Sequence, residues 1–254
     1  MSLTPRQEEI KSAFIAARGS WGEPWETTLQ IDPEFVAAYL KLYLVPWKKN
    51  HLSPKFKELC YLAISGAATH LYIPGIRAHT RQALAYGATP QEILEVLELA
   101  ATLGIHAMNI GVPILVEVLV ERGRTEPTPL SDHQQELKAQ FTKTRGYWHD
   151  FWNEMLELDP EMFEAYTECS SVPWRTGTLT PAEKELIYIS YDIAATHLYM
   201  PGTKLHIRNA LNHGATTGEI LEVMELASVL GIHAVTTGVP ILTEELARLG
   251  KSDQ

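Results

Sequence analysis

The chain lacks three features that would each indicate a class of protein. It has no excess of positive charge, since 21 Lys and Arg stand against 31 Asp and Glu, and the net charge of −10 argues against nucleic-acid binding. No run of about 18 uninterrupted apolar residues occurs, which predicts that no segment spans a membrane. The first residues, Met1 to Pro5, lack the basic and then apolar pattern of a secretory signal. We therefore expect a cytoplasmic protein.

Cysteine is also scarce, with two residues in 254. The chain instead contains an internal sequence repeat. Glu58 recurs as Glu185 and His79 recurs as His206, both 127 positions later. The offset holds for many further residues, which include His70 and His197, His106 and His233, and the tryptophans Trp21, Trp25, Trp47, Trp148, Trp152 and Trp174. A gapless tandem duplication predicts two domains, 1–127 and 128–254, related by a pseudo-twofold axis.

The duplication helps to interpret the cysteines. Cys60 has Ile187 as its counterpart, and Cys169 has Leu42. A duplicated disulfide or thiol site would have left pairs, so both cysteines are predicted to be small apolar core residues.

Helix signals dominate each repeat. Thr4, Thr89 and Thr180 are each followed by Pro and then, three residues on, by Gln or Glu, which is the pattern of a capping box. Apolar residues then recur at helical spacing, and no alternating strand pattern is present. We predict an all-α fold with five to seven helices in each half, roughly at 4–17, 33–43, 54–68, 74–86, 90–103 and 108–122, with counterparts 127 residues later.

The duplicated histidines and acids are the candidates for chemistry. His79 and His206 fit either an acid/base that lines a pocket or a buried histidine bonded to a neighbouring helix. Glu58 and Glu185 open apolar helices, where a carboxylate can either favour the positive end of the helix dipole or transfer protons. The sequence alone leaves both alternatives open.

Three histidines in each half could also form a metal site. His70, His79 and His106 are spaced by 9 and 27 residues, however, and these spacings match no metal-binding motif. We therefore expect no metal ion. We expect Glu58 and the three histidines to surround one cavity, with Tyr72 on its wall and Tyr199 at the equivalent place in the second half.

Two segments, Glu58–Leu115 and Glu185–Leu242, resemble the carboxymuconolactone decarboxylase and alkylhydroperoxidase D-like family. The matching features are the Glu-Leu helix start, the histidine 21 residues on, and the Ala-Leu-x-x-Gly-Ala-Thr and Glu-Ile-Leu-Glu-Val segments. The resemblance implies two tandem alkylhydroperoxidase D-like helical domains. The first 50 residues of each repeat resemble no family that we can name.

The family includes a peroxidase branch and a decarboxylase branch. The peroxidase branch carries a Cys-x-x-Cys pair, which would fall at Tyr72 and Gly75, or in another register at His70 and Ile73. Neither register holds a thiol, which is indispensable for that reaction. The chain therefore resembles the decarboxylase branch more closely.

The resemblance implies a cofactor-independent lyase that removes CO₂ from a small carboxylated lactone or a related intermediate of aromatic degradation. His79 and His206 would donate the proton, and Glu58 and Glu185 would orient or shuttle it. The predicted substrate-binding residues are Arg77, Lys204, Arg81, Arg208, His70, His197, His106, His233, Tyr72 and Tyr199. The expected partners are a small acidic substrate and two further copies of the chain in a homotrimer. The alternatives are a non-thiol member that binds a ligand or metal and, less favoured, a peroxidase.

Overall fold

The computed structural model describes residues 2–252, and for residues 250–252 it describes the backbone alone. Within that range the chain forms fifteen α-helices, two short 3-10 helices and no strand, which confirms the all-α prediction. The first repeat contains α1 (Pro5–Arg18), α2 (Glu23–Ile31), α3 (Pro33–Lys49), α4 (Pro54–Gly66), α5 (Ile73–Ala85), α6 (Pro90–Ala101) and α7 (His106–Glu121). The second contains α8 (Asp132–Arg145), α9 (Phe151–Leu158), α10 (Pro160–Ser170), α11 (Val172–Thr176), α12 (Pro181–Asp192), α13 (Met200–Asn212), α14 (Thr217–Ser228) and α15 (His233–Ser252).

The predicted helix starts are confirmed. The hydroxyl of each capping threonine accepts the N–H three residues on, while the Gln or Glu there accepts the threonine N–H; the three predicted boxes are at Thr4, Thr89 and Thr180. Helix α2 and its counterpart α9 were not predicted. The single helix α3 corresponds to two helices in the second repeat, because its counterpart is interrupted at Ser171. The prediction of five to seven helices is therefore wrong for the second repeat, whose described residues form eight α-helices.

The two repeats share one hydrophobic core. Helices α4 and α12 pack against each other and against α6 and α14, and the main cluster of buried side chains includes Leu59 and Leu62 from α4 and Leu186 and Ile189 from α12. The last helix of each repeat leaves its own half, since α7 packs on α9 and α15 packs on α2. The repeats are therefore interlocked, and each covers part of the other.

Two buried ion pairs join the halves in the same way. Lys57 on α4 lies 2.6 Å from Glu222 on α14, and Lys184 on α12 lies 2.9 Å from Glu95 on α6. All four side chains are at most 5% exposed. The second oxygen of each glutamate accepts backbone N–H groups from the other repeat, at His51 for Glu222 and at residues 178 and 179 for Glu95. These bonds satisfy charges that would otherwise be costly to bury.

The prediction for the cysteines is right for one residue and wrong for the other. Cys60 is completely buried in the shared core, and burial raises the pKa of its thiol. Cys169 is exposed on α10, because its position on that helix faces away from the core.

Apolar side chains remain exposed on the final helix of each repeat. In α7 and α15 about half of the surface of several of these side chains is exposed; they are Ile110, Ile114, Leu115, Ile241, Leu242 and Leu246. Two helical stretches, Pro90–Glu121 and Thr217–Leu249, are long and apolar enough to cross a membrane by length and composition. Core helices of soluble proteins pass the same test, so length and composition alone do not identify a membrane span. Exposed apolar faces of this kind are also typical of contacts between protein chains.

Candidate active site

Each half contains a glutamate–histidine pair that joins two helices. Glu58 on α4 lies 2.7 Å from Nδ1 of His79 on α5, and Glu185 on α12 lies 2.5 Å from Nδ1 of His206 on α13. A tyrosine ring stacks on each imidazole, with Tyr61 centred 4.8 Å from His79. The carboxylate and the ring fix the orientation of the imidazole, so its Nε2 atom is the one left free for chemistry.

An arginine from the N-terminal part of each repeat completes the group. Arg18, the last residue of α1, donates a hydrogen bond to the Tyr39 hydroxyl and lies over the Tyr43 ring at 4.1 Å. It lines the same cavity as Glu58 and His79. Its counterpart Arg145 is buried in the cavity that contains His206. We did not predict these arginines, although their separation of 127 residues was a signal that could have revealed them.

The four cations predicted to hold the substrate are elsewhere. Arg77, Arg81, Lys204 and Arg208 are exposed on α5 and α13. None of the four lines a cavity that contains His79 or His206. A helical position two residues from an inward-facing histidine points well away from it, which accounts for this placement.

The other four duplicated histidines form pairs across the two repeats. His70 and His233 are joined by a hydrogen bond of 2.8 Å, and His106 and His197 by one of 2.6 Å. His233 therefore lines the cavity of His79, and His106 lines the cavity of His206. The prediction that His106 shares a cavity with His79 is wrong, because α7 and α15 each pack on the opposite repeat.

Tyrosine rings and a tight turn hold these pairs in place. Tyr72 stacks on His233 with centroids 3.9 Å apart, and Tyr199 stacks on His106 at 3.8 Å. The turn before each tyrosine contains a leucine in the left-handed region, with φ of 44° at residue 71 and 51° at residue 198, which leucine rarely adopts. Burial lowers the pKa of His106 to about 3 and that of His233 to about 4, with a smaller contribution from neighbouring imidazoles. Both rings are therefore neutral at pH 7.

One position distinguishes the two sites. Asp192, at the end of α12, is fully buried and lies 3.9 to 4.0 Å from Nε2 of His106, His197 and His206. Neither of its oxygens has a hydrogen-bond partner. Burial raises the pKa of its carboxyl to about 7. The counterpart in the first half is Ser65, so the duplication gave no reason to single out Asp192.

The space around the two histidines also differs. We call the surroundings of Glu58 and His79 the first pocket, and those of Glu185 and His206 the second pocket. Each has an inner cavity of about 30 Å³. The first pocket has in addition an outer cleft of about 260 Å³, which Ser20 and Ala78 line together with the catalytic candidates. Bulkier residues, Tyr147 and Leu205, occupy the corresponding positions in the second pocket.

Comparison with known proteins identifies the family. The sequence pattern described as the carboxymuconolactone decarboxylase family matches residues 33–110 and 160–244. The chain belongs to this family. A crystal structure from Burkholderia xenovorans LB400, provisionally named as a gamma-carboxymuconolactone decarboxylase subunit, is 48% identical and superposes with a TM-score of 0.93 over 97% of this chain and 99% of that one. No protein of curated function matches the chain.

The two matched segments lie in the two repeats, in agreement with a tandem pair of helical family units. Both segments contain the glutamate–histidine pair of their repeat. Neither arginine of the pockets is inside a matched segment, since Arg18 and Arg145 precede residues 33 and 160.

Proposed function

We propose that the chain is a cofactor-independent carboxy-lyase of the carboxymuconolactone decarboxylase type, which acts on a small carboxylated lactone in the first pocket. The observation that carries the proposal is that Arg18, Glu58 and His79 line one cleft. The cleft of about 260 Å³ has room for such a substrate. The name of the similar crystal structure supports the same reaction class.

In this proposal Arg18 binds a carboxylate of the substrate, because its guanidinium stays charged and can form two parallel hydrogen bonds. The bond between the leaving carboxylate and the lactone ring breaks, and CO₂ departs without the bonding electron pair. That pair is delocalised into the conjugated lactone as a dienolate. Protonated His79 then delivers a proton from Nε2 to the dienolate carbon, and solvent reprotonates the ring.

Glu58 has two roles in this reaction. Its hydrogen bond to Nδ1 directs Nε2 of His79 toward the cleft. Its negative charge also balances the imidazolium that must form before proton transfer. Tyr61 limits rotation of the ring from the other side by stacking on it.

The test is turnover of carboxymuconolactone, which is measured as the release of CO₂ and as the loss of the lactone's absorbance. We expect His79→Gln to lower kcat by about 10²- to 10⁴-fold, the usual contribution of a general acid. His206→Gln is the matched control, because it changes the same residue type in the second pocket, and we expect it to retain most activity. If the wild-type chain releases no CO₂, or if both variants match it, the proposal is wrong.

A third outcome would favour an alternative function. If the chain does not turn over the lactone but binds it with an affinity that depends on Arg18, the first pocket is a binding site without chemistry. Peroxidase activity is not supported, since Cys60 is buried in the core, Cys169 is exposed on α10, and neither lines a cavity that contains His79 or His206.

We also propose that three chains associate in the cytoplasm as a homotrimer. The support is the exposed apolar face of α7 and α15, which a neighbouring chain would cover. Sedimentation equilibrium should give three times the chain mass of 28.5 kDa. A mass equal to one chain would contradict the proposal.

A further inference from the structure

The second pocket contains a buried carboxylate that the proposed reaction does not use. The Asp192 side chain is completely inaccessible, and no hydrogen bond reaches either oxygen. A buried polar group without a partner is rare, and a buried carboxylate without one is costly. The surroundings of Asp192 therefore call for a positively charged partner.

Three imidazoles lie near this carboxylate, two of them close to one oxygen and the third close to the other. Nε2 of His106 lies 3.9 Å from Oδ1 of Asp192, and Nε2 of His197 lies 4.0 Å from the same oxygen. On the other side, Nε2 of His206 lies 3.9 Å from Oδ2. These separations are too long for hydrogen bonds. They exceed the roughly 3.4 Å between two ligands of a tetrahedral zinc ion with bonds of about 2.0–2.2 Å, so a shift of about half an ångström in these side chains would let them bind one ion.

The three side chains that are best placed form a compact donor set. One ligand atom from each of His106, Asp192 and His197 can be chosen so that all three lie within 4.8 Å of one another. The two imidazoles are only 11% and 12% exposed, which shields an ion between them from water. Two nitrogens and one carboxylate oxygen are a donor set that Zn²⁺ and other divalent first-row metals prefer.

We propose that the second pocket binds one divalent transition-metal ion, of which Zn²⁺ is the representative, through His106, His197 and Asp192. The ion binds Nε2 of each imidazole and one oxygen of Asp192, which requires His197 Nε2 to give up its hydrogen bond to Nδ1 of His106. His206 faces the same carboxylate from the opposite side, and the inner cavity of about 30 Å³ beside it has room for a water molecule as a further ligand.

The first half provides an internal control for this site. His70 and His233 form the equivalent imidazole pair, with an equivalent separation of 2.8 Å. At the position of the carboxylate stands Ser65, whose hydroxyl is a weaker ligand than a carboxylate. Among the described residues, no group of three metal-ligating side chains forms around Ser65. The proposal therefore predicts one ion per chain, not two.

The experiment is a titration of the full-length, tag-free chain, first stripped of metal with a chelator. Zn²⁺ binding is measured by isothermal titration calorimetry, and Co²⁺ binding by its visible absorption, which reports tetrahedral ligation. We expect one ion per chain for the wild type. Asp192→Ser, which copies the first half, should lose at least about 100-fold in affinity, because a direct ligand is removed. Ser65→Asp, which copies the second half, should raise the number of ions to two.

Two further variants keep the test decisive. Asp192→Asn preserves the shape of the side chain, so loss of binding in a variant with a native circular dichroism spectrum cannot be attributed to unfolding. Cys169→Ser removes the exposed thiol and should bind the metal as the wild type does. The proposal is overturned if the wild type binds no ion, or if Asp192→Ser and Asp192→Asn both bind it unchanged. No substrate is needed, so this result is independent of whether the first pocket is a decarboxylase.

Discussion

The two pockets have the same catalytic candidates in different surroundings. Both contain a glutamate, a histidine and an arginine at equivalent positions, and each receives a further histidine from the opposite repeat. The first pocket opens into a cleft, whereas in the second Tyr147 replaces Ser20 and the buried Asp192 replaces Ser65. The exposed fraction of the histidine side chain falls from 16% at His79 to 10% at His206. Both halves therefore keep the glutamate, the histidine and the arginine, while the two pockets differ in how open they are and in their charge.

The buried ion pairs between the halves, in contrast, are equivalent in the two directions. Breaking either pair is expected to have the largest effect, a loss of stability. Lys57→Met and Lys184→Met each leave a buried glutamate without its cation, so we expect each to lower the free energy of unfolding by about 3–5 kcal/mol. Denaturant titration measures both. The control is Arg6→Met, which breaks exposed pairs and should cost less than about 1 kcal/mol. If the two lysine variants lose clearly different amounts of unfolding free energy, the interface between the halves has also diverged.

The second effect distinguishes the arginines. Arg18→Met should lower kcat/KM for carboxymuconolactone by about 10- to 100-fold, since a hydrogen-bonded charge contact contributes about 1.5–3 kcal/mol. Arg18→Lys should recover part of the loss, because it restores the charge without the planar fork. Arg145→Met, in the closed pocket, should leave activity nearly unchanged. Equal losses for Arg18→Met and Arg145→Met would mean that both pockets turn over substrate.

Much of the fold could be predicted from the sequence, because helix starts and the constant offset are local or repetitive signals. The capping boxes gave the starts of α1, α6 and α12, and the offset brought together Glu58 and His79 as candidates. The exchange of His106 and His233 between halves could not be predicted, since it depends on how α7 and α15 pack. A search for duplicated residues also misses any residue that has a function in one repeat only. Asp192 is such a residue.

The third effect tests access to the pockets by exchanging one residue between them. Ser20→Tyr introduces at the outer cleft the side chain that lies at position 147 in the second half, and we expect it to raise KM by about tenfold with a smaller change in kcat. The reciprocal Tyr147→Ser variant enlarges the second pocket. In a His79→Gln background it should restore measurable turnover if size alone inactivates that pocket. Steady-state kinetics of the wild type, Ser20→Tyr, His79→Gln, and His79→Gln combined with Tyr147→Ser decides this. An unchanged KM for Ser20→Tyr would place substrate entry elsewhere.

The smallest effect concerns the pH dependence of stability and the histidine that the second repeat contributes to the first pocket. His233 stacks on Tyr72 and His70 and lines one cavity with His79 and Arg18. Burial lowers its pKa from the ordinary value of 6.5 to about 4. Between these two values the unfolded chain binds a proton that the folded chain does not, so stability falls as the pH drops through this window and the contribution levels off below it. His233→Gln removes this contribution, and we expect its melting temperature to fall less than that of the wild type between pH 6.5 and pH 4. His133→Gln, a change at an exposed histidine, should keep the wild-type slope. If calorimetry gives the same slope for His233→Gln, His233 is not the source of the acid sensitivity, and His106, whose pKa burial lowers to about 3, becomes the candidate.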